Sequence, residues 1–223
     1  MHTIRGLAAN AGVPVQVVPV SKLRQMAGNV PHQGVVAVVA PVQYQEVEEL
    51  LDAIAATPDE VREKKPVLVM LDEIQDPHNF GAILRSAVAA GAAGVIVPMH
   101  RMAPVSATTV KASAGTALRI PIARAKNLVD VIHQLKERGY WVIGLAGEGE
   151  TSVWEMDWDR PLVLVIGSEG KGLRPRVRDA CDMLVRIPMR GPAESLNASV
   201  AAGIALFAAT RARTASDETN ENA

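Results

Sequence analysis

From Pro66 onward, short apolar runs alternate with longer amphipathic ones, and this alternation constrains the fold more than any other feature of the chain. Strands are predicted at Val67–Leu71, Gly94–Val97, Arg119–Ile122, Trp141–Leu145, Leu162–Ile166 and Leu184–Ile187. Helices are predicted at Phe80–Ala90, Ala107–Ala114, Leu128–Arg138, Arg176–Ala180 and Leu196–Arg211. A strand that is apolar on both sides must be covered on both faces. Such strands separated by helices predict an α/β fold with a parallel sheet between two helical layers. In open sheets of this kind, ligands bind at the carboxyl ends of the strands.

Hydrophobic residues make up 48 % of the 223 residues but aromatics only 3 %, so aliphatic side chains and alanine have to build the core. The single cysteine, Cys181, excludes an internal disulfide framework and fits a reducing compartment. No apolar run of transmembrane length and no signal-peptide pattern occurs, so a cytoplasmic protein is expected.

Residues 1–41 predict part of a small module. Val15–Val20 and Val35–Val39 are β-branched runs bounded by Pro and Gly, but two strands and a helix start cannot bury a core alone. The module is therefore expected to be truncated. Residues 42–65 are expected to form a linker, with a short helix around Glu46–Ala56 and breaks at Pro58 and Pro66. Residues 66–213 form the main domain, and the polar tail 214–223 is expected to be disordered.

The formal net charge is −1, yet cations are grouped. Residues 1–41 carry Arg5, Lys22 and Arg24 and no acid, and residues 99–126 carry Arg101, Lys111, Arg119, Arg124 and Lys126 and no acid. Lys171, Arg174, Arg176 and Arg178 form a third group. Such faces are either solvated surface or docking sites for a polyanion.

Three motifs carry chemistry. In Asp76-Pro77-His78-Asn79-Phe80-Gly81, Asn79 is either a turn or cap residue or a site residue. Arg85 follows on an otherwise apolar helix and needs an anion, internal or external. In Gly167-Ser168-Glu169-Gly170-Lys171-Gly172, the glycine spacing fits neither the dinucleotide fingerprint nor a phosphate-binding loop. Close backbone approach to a ligand is the simpler reason for these glycines, and Glu169 is either a loop acid or, the favoured reading, a residue that orients another site group. In Ile187-Pro188-Met189 through Ser195-Leu196-Asn197-Ala198-Ser199, Ser195 is a candidate helix N-cap, with Asn197 and Ser199 in the first turn. Gly144–Gly147 supplies a further loop beside these. The histidines are scattered without metal-ligand spacing, and no metal is expected.

Together these motifs resemble the SpoU–TrmH branch of the SPOUT RNA methyltransferases, with the 23S rRNA guanosine 2′-O-methyltransferases as the most similar members. The matching pieces are Asn79-x-Gly81-x-x-x-Arg85, Gly167-x-Glu169-Gly170-x-Gly172, and Ile187-Pro188-Met189 with Ser195-Leu196-Asn197-x-Ser199. Pro31–Val38 resembles the end of an L30e-like substrate-binding module. The resemblance implies a SPOUT domain with a C-terminal trefoil knot, preceded by part of an L30e-like α/β module. It implies S-adenosylmethionine held by Leu145, Ala146, Gly147, Gly167, Gly170, Ile187, Met189, Ser195 and Leu196. It implies Arg85, Asn79, Glu169, Ser195 and Asn197 as catalytic residues, with Asn79 and Glu169 steadying Arg85. It further implies RNA as substrate, bound in part by Arg5, Lys22, Arg24, Arg101 and Lys111, and a homodimer formed through the knot region. A guanosine of 23S rRNA is the expected target, with another rRNA site, including the thiopeptide-resistance type, or tRNA as the alternative. A non-catalytic RNA-binding protein is the rival from another class, and a nucleotide-dependent oxidoreductase is contradicted by the late position of the glycines.

Overall fold

The computed structural model describes residues 2–28, 31–38, 40 and 42–221. The chain divides into two compact units, Met1–Pro41 and Val42–Ala223.

In the first unit, helices α1 (His2–Asn10) and α2 (Val20–Ala27) form. The strands expected at Val15–Val20 and Val35–Val39 do not: residues 13–19 and 35–38 are outside any ladder, Val20 opens α2, and Val39 lies outside the described residues. A strand needs a neighbour for its backbone groups, and this unit supplies none among its described residues. Its apolar side chains stay exposed, Leu7, Val17 and Val38 among them.

The second unit contains, in order, β1 (Gln45–Glu46), α3 (Val47–Ile54), α4 (Pro58–Lys64), β2 (Val67–Asp72), α5 (Pro77–Ala89), β3 (Gly94–Pro98) and α6 (Ala107–Ala112). Then follow β4 (Ile122–Ala125), α7 (Leu128–Glu137), β5 (Trp141–Leu145), β6 (Thr151–Ser152), β7 (Leu162–Gly167), α8 (Pro175–Ala180), β8 (Met183–Arg186) and α9 (Ala198–Glu221). All eight strands pair in parallel in the order β1-β4-β3-β2-β7-β5-β8-β6. Side chains alternate between the two faces. Val67, Val69 and Leu71 of β2 pack with Phe80, Ile83 and Leu84 of α5 and Ala202 and Leu206 of α9. Leu68 and Met70 pack on the opposite side with Leu50 and Leu51 of α3, Ile132 and Leu135 of α7, and Val177 of α8.

Four expectations change. The supposed linker is folded: Val47, Leu50, Leu51 and Val61 are buried, and Pro58 opens α4 at its first turn, where a missing N–H costs nothing. β4 starts three residues later than expected, because Pro121 has no N–H to give the ladder and Thr116–Leu118 is a tight 3-10 turn. α5 begins at Pro77 rather than Phe80, capped by Asp76, whose side chain accepts from the His78 N–H. Helical backbone also continues past Arg213 to Glu221, over a stretch with no Gly or Pro to stop it. No helix among the described residues is long and apolar enough to cross a membrane.

Tyr140 is buried, and its hydroxyl has no hydrogen-bond partner among the described residues. An unpaired buried hydroxyl is costly, so Tyr140→Phe is expected to keep stability unchanged or raise it by up to ~1 kcal/mol. Burial pushes the Tyr140 phenol from 10.0 up to about 12. The unfolded chain therefore ionises first, and native stability is lost as pH rises through this interval. Urea unfolding of Tyr140→Phe should show a flatter decline there than the parent; an equal or steeper decline would refute this account.

Candidate active site

The loops after β5, β7 and β8 leave the carboxyl edge of the sheet side by side. Leu145 is level with Ile166 on one neighbour and with Val185 on the other. The three loops implied to hold the cofactor therefore start in one row, although 40 residues of sequence separate Leu145 from Val185. Gly167 is buried; Leu145, Ala146, Ile187 and Leu196 are half-buried; Gly147, Gly170, Met189 and Ser195 are exposed. This combination offers an apolar wall with an open side.

The β7 loop folds tightly back on itself. The Ser168 N–H donates to the Gly172 carbonyl at 3.1 Å and the Gly172 N–H returns to the Ser168 carbonyl at 2.9 Å. A Cβ on Gly167 would lie 2.1 Å from the Gly172 carbonyl carbon and 2.4 Å from the Leu173 nitrogen. Only glycine fits at 167. The β8 loop is of the opposite kind: from Ile187 to Leu196 no backbone N–H donates to another described residue. Unpaired donors beside an apolar wall suit a nucleoside and a charged tail, so the residues present fit S-adenosylmethionine.

The three motifs meet at one point. The Asn79 amide donates to Glu169 Oε1 at 2.7 Å, and the Asn197 amide donates to Asn79 Oδ1 at 2.9 Å and also to Glu169 Oε1. Asn197 Oδ1 in turn accepts from the Ser199 N–H at 2.9 Å and the Ser199 hydroxyl at 2.6 Å. Asn197, not Ser195, is thus the cap of α9, which starts at Ala198 rather than Leu196. Asn79 sits in the first turn of α5 and is the buried member of the set.

Arg85 does not join this cluster. Six residues beyond Asn79, it lies about 120° around the helix from it. It is exposed, and among the described residues it has no hydrogen bond or ion pair. The steadying role expected of Asn79 and Glu169 is therefore exercised on Asn197 and on each other. Ser195 is likewise exposed and without a hydrogen bond among the described residues. Arg5, Lys22, Arg24, Arg101 and Lys111 are all exposed, and Arg101 is paired to Glu73 at 3.2 Å.

The sequence reading passed over Asp72 and Glu73. Asp72 is fully buried and takes Arg174 twice, from its N–H at 2.8 Å and from Nε at 2.6 Å. The signal was the abrupt switch from the apolar run Val67–Leu71 to two acids at the strand's carboxyl end. Among the described residues no group of three or more His, Cys, Asp or Glu could hold a metal ion.

Residues 66–207 match the SpoU rRNA Methylase family, and residues 1–45 match the RNA 2′-O ribose methyltransferase substrate binding family. A Bacillus subtilis (strain 168) protein, YacO, assigned by name to the TrmH family of tRNA/rRNA methyltransferases, is 44 % identical over 93 % of this chain and 81 % of its own length. A tRNA/rRNA methyltransferase of Mycobacterium avium (strain 104), itself uncharacterized, is 47 % identical over 92 % of this chain. The chain spans 65 % of that relative's length. Among solved structures, the AdoMet-bound rRNA methyltransferase of Sinorhizobium meliloti superposes with a TM-score of 0.66 at 35 % identity, over 76 % of this chain and 61 % of that one. The SpoU methyltransferase AviRb of Streptomyces viridochromogenes, in complex with AdoMet, gives 0.62 at 35 % identity, over 67 % and 58 %. With the family model covering most of the second unit and relatives this similar along nearly the whole chain, the protein belongs to the SpoU rRNA methylase family.

Proposed function

We propose that the protein is an S-adenosylmethionine-dependent RNA methyltransferase acting on a ribose 2′-hydroxyl. The observation that carries this reading is the junction of Asn79, Glu169 and Asn197 beside three adjoining loops at the carboxyl edge of the sheet. A non-catalytic RNA-binding protein has no need of this polar junction, whose Asn79 is buried.

S-adenosylmethionine supplies a methyl group already activated by its sulfonium. A new bond forms between the 2′-oxygen and the methyl carbon, the carbon–sulfur bond breaks, and the hydroxyl proton passes to solvent or a base. The protein has to align oxygen, carbon and sulfur and to favour loss of the proton. Gly167 would let the β7 loop close around the nucleoside, and Ile187, Met189 and Leu196 would hold its apolar part. The Asn79–Glu169–Asn197 junction fixes the β7 loop, α5 and α9 relative to one another. Ser195, which has no hydrogen bond among the described residues, positions the ribose. Arg85 grips the phosphate next to the reacting hydroxyl and lowers that hydroxyl's pKa. Arginine itself stays protonated and is a poor base.

Two further features belong to this reading. A homodimer is supported by Arg85, which points away from its own chain's junction, and by the exposed Val200 and Phe207 on α9. A second copy would bring an Arg85 to the site. A trefoil knot is supported by the strand order: β8 lies between β5 and β6, and the loop joining those two crosses over its end. Arg186 donates to the Gly149 carbonyl of that loop at 2.6 Å. The first unit is read as part of an L30e-like substrate-binding module, a 23S rRNA guanosine as the target, and the cytoplasm as the compartment.

The test is calorimetry with S-adenosylmethionine, followed by mass spectrometry of ribosomal and transfer RNA treated with protein and cofactor. A 2′-O-methylated nucleotide in rRNA is expected. Binding of the cofactor with methylation of neither RNA would overturn the reading; methylation of tRNA alone would keep the chemistry and replace the target.

A further inference from the structure

A second cleft opens at the same edge of the sheet, mostly on the far side of β2 from the β5 and β8 loops. It has a volume of about 510 Å³ and is lined by the carboxyl ends of β3 and β4, the start of α7, and Glu73, His100, Arg101, Lys126 and Arg174. We propose that it is a binding site for an RNA backbone phosphodiester, with the Glu73 carboxylate standing in for the phosphate until RNA arrives. The proposal rests on the RNA substrate read above.

The geometry around Glu73 carries it. One carboxylate oxygen, Glu73 Oε1, lies between two guanidiniums, 3.2 Å from Arg101 Nη1 and 3.6 Å from Arg174 Nη1. That is where a non-bridging phosphate oxygen would sit, because forked donors suit phosphate as they suit carboxylate. Lys126 lines the same cleft, exposed and with no ion pair among the described residues. The start of α7, at Leu128, also lines the cleft and brings the positive end of a helix dipole, although Asn127 Oδ1 already caps the Val129 N–H and Asp130 stands in the same turn.

Backbone strain points to the same place. Glu73 has φ +61° and Arg101 φ +57°, the left-handed region that side-chain-bearing residues seldom occupy. Two such residues facing each other across one cleft, and paired to each other, mark a site whose geometry is held against local preference. A solvated surface pair needs no such geometry.

Arg174 also links this cleft to the cofactor loop. It follows Gly172 and Leu173 directly, and Asp72 holds it from behind through two hydrogen bonds. Removing Arg174 would leave Asp72 a buried, uncompensated charge and damage the fold, so it is a poor probe. Glu73, Arg101 and Lys126 can be changed without that cost.

The experiment measures fluorescence anisotropy of a fluorescein-labelled stem–loop RNA with the full chain, over a range of salt and without cofactor. Glu73→Gln removes the competing carboxylate and is expected to tighten RNA binding about 5-fold. Arg101→Ala and Lys126→Ala are each expected to weaken it about 5-fold, and each should lower the slope of log affinity against log salt by about 1. S-adenosylmethionine affinity and melting temperature should stay at parental values for all three, which separates this site from the methyl-donor site. Inorganic phosphate should bind weakly and should not displace the RNA at equal concentration; full displacement would show a free-phosphate site instead and overturn the proposal. If the parent binds RNA and Glu73→Gln binds it no better, the stand-in role fails. If Arg101→Ala and Lys126→Ala also bind as the parent does, the cleft fails while the methyltransferase reading stands. A parent that binds no RNA sinks both.

Discussion

Arg85→Ala is expected to lower the rate of 2′-O-methylation about 100- to 1,000-fold, the usual cost of deleting one preorganised charged donor from a reacting centre. Its effect on the fold should be negligible. Arg85 is exposed, lacks internal partners among the described residues, and sits on a helix that alanine favours. Melting temperature and cofactor affinity should therefore match the parent, so that the loss appears in turnover alone. Arg85→Lys separates two accounts. A simple cation would serve nearly as well, whereas a forked grip on phosphate would not. Single-turnover rates on the unmethylated substrate RNA decide between them, and near-parental activity for lysine refutes the fork. Mixing Arg85→Ala with a chain inactivated at Asn79 would test the dimer. If the arginine serves the other copy's site, mixed dimers should regain one working site; no regain would place Arg85 in its own chain's site.

Gly167→Ala is the second large effect, and it acts by another route. The added methyl would overlap the Gly172 carbonyl group and the Leu173 nitrogen, all of them backbone. No side chain can rotate away to relieve the clash. Overpacking of this severity costs about 3 kcal/mol, the upper end of the usual range, or forces the loop open. Loss of S-adenosylmethionine binding by calorimetry is expected, with a melting temperature several degrees lower; about 1 kcal/mol corresponds to roughly 2–4 °C for a domain of this size. Unchanged cofactor binding in Gly167→Ala would show that the β7 loop is not part of the methyl-donor site. Comparison with Arg85→Ala is informative because one change should remove binding and the other only turnover.

Much of the architecture could be read in the chain. Fully apolar strands such as Leu162–Ile166 can sit only at the centre of a covered sheet, and their spacing by helices requires parallel pairing. The short edge strands Gln45–Glu46 and Thr151–Ser152 could not be read, because two residues carry no period. Nor could the burial of residues 42–65 as a layer. Pro58 is a break when met in isolation and a helix start once Thr57 caps the turn, its hydroxyl accepting from the Glu60 N–H.

The candidate site divides in the same way. Sequence by itself determined which residue types are available and at which strand ends they stand: Asn79 after β2, Glu169 after β7, Asn197 before the last helix. Those are local facts, set by side-chain periods of 2 and 3.6 and by cap and turn chemistry. Only the tertiary structure decided who holds whom. Asn79 bonds to residues 90 and 118 positions away, Arg85 turns from them, and Glu73 comes to rest between Arg101 and Arg174. The physical reason is that a hydrogen bond is fixed within a few tenths of an ångström by the packing of whole elements, while a sequence pattern fixes only the face on which a side chain emerges.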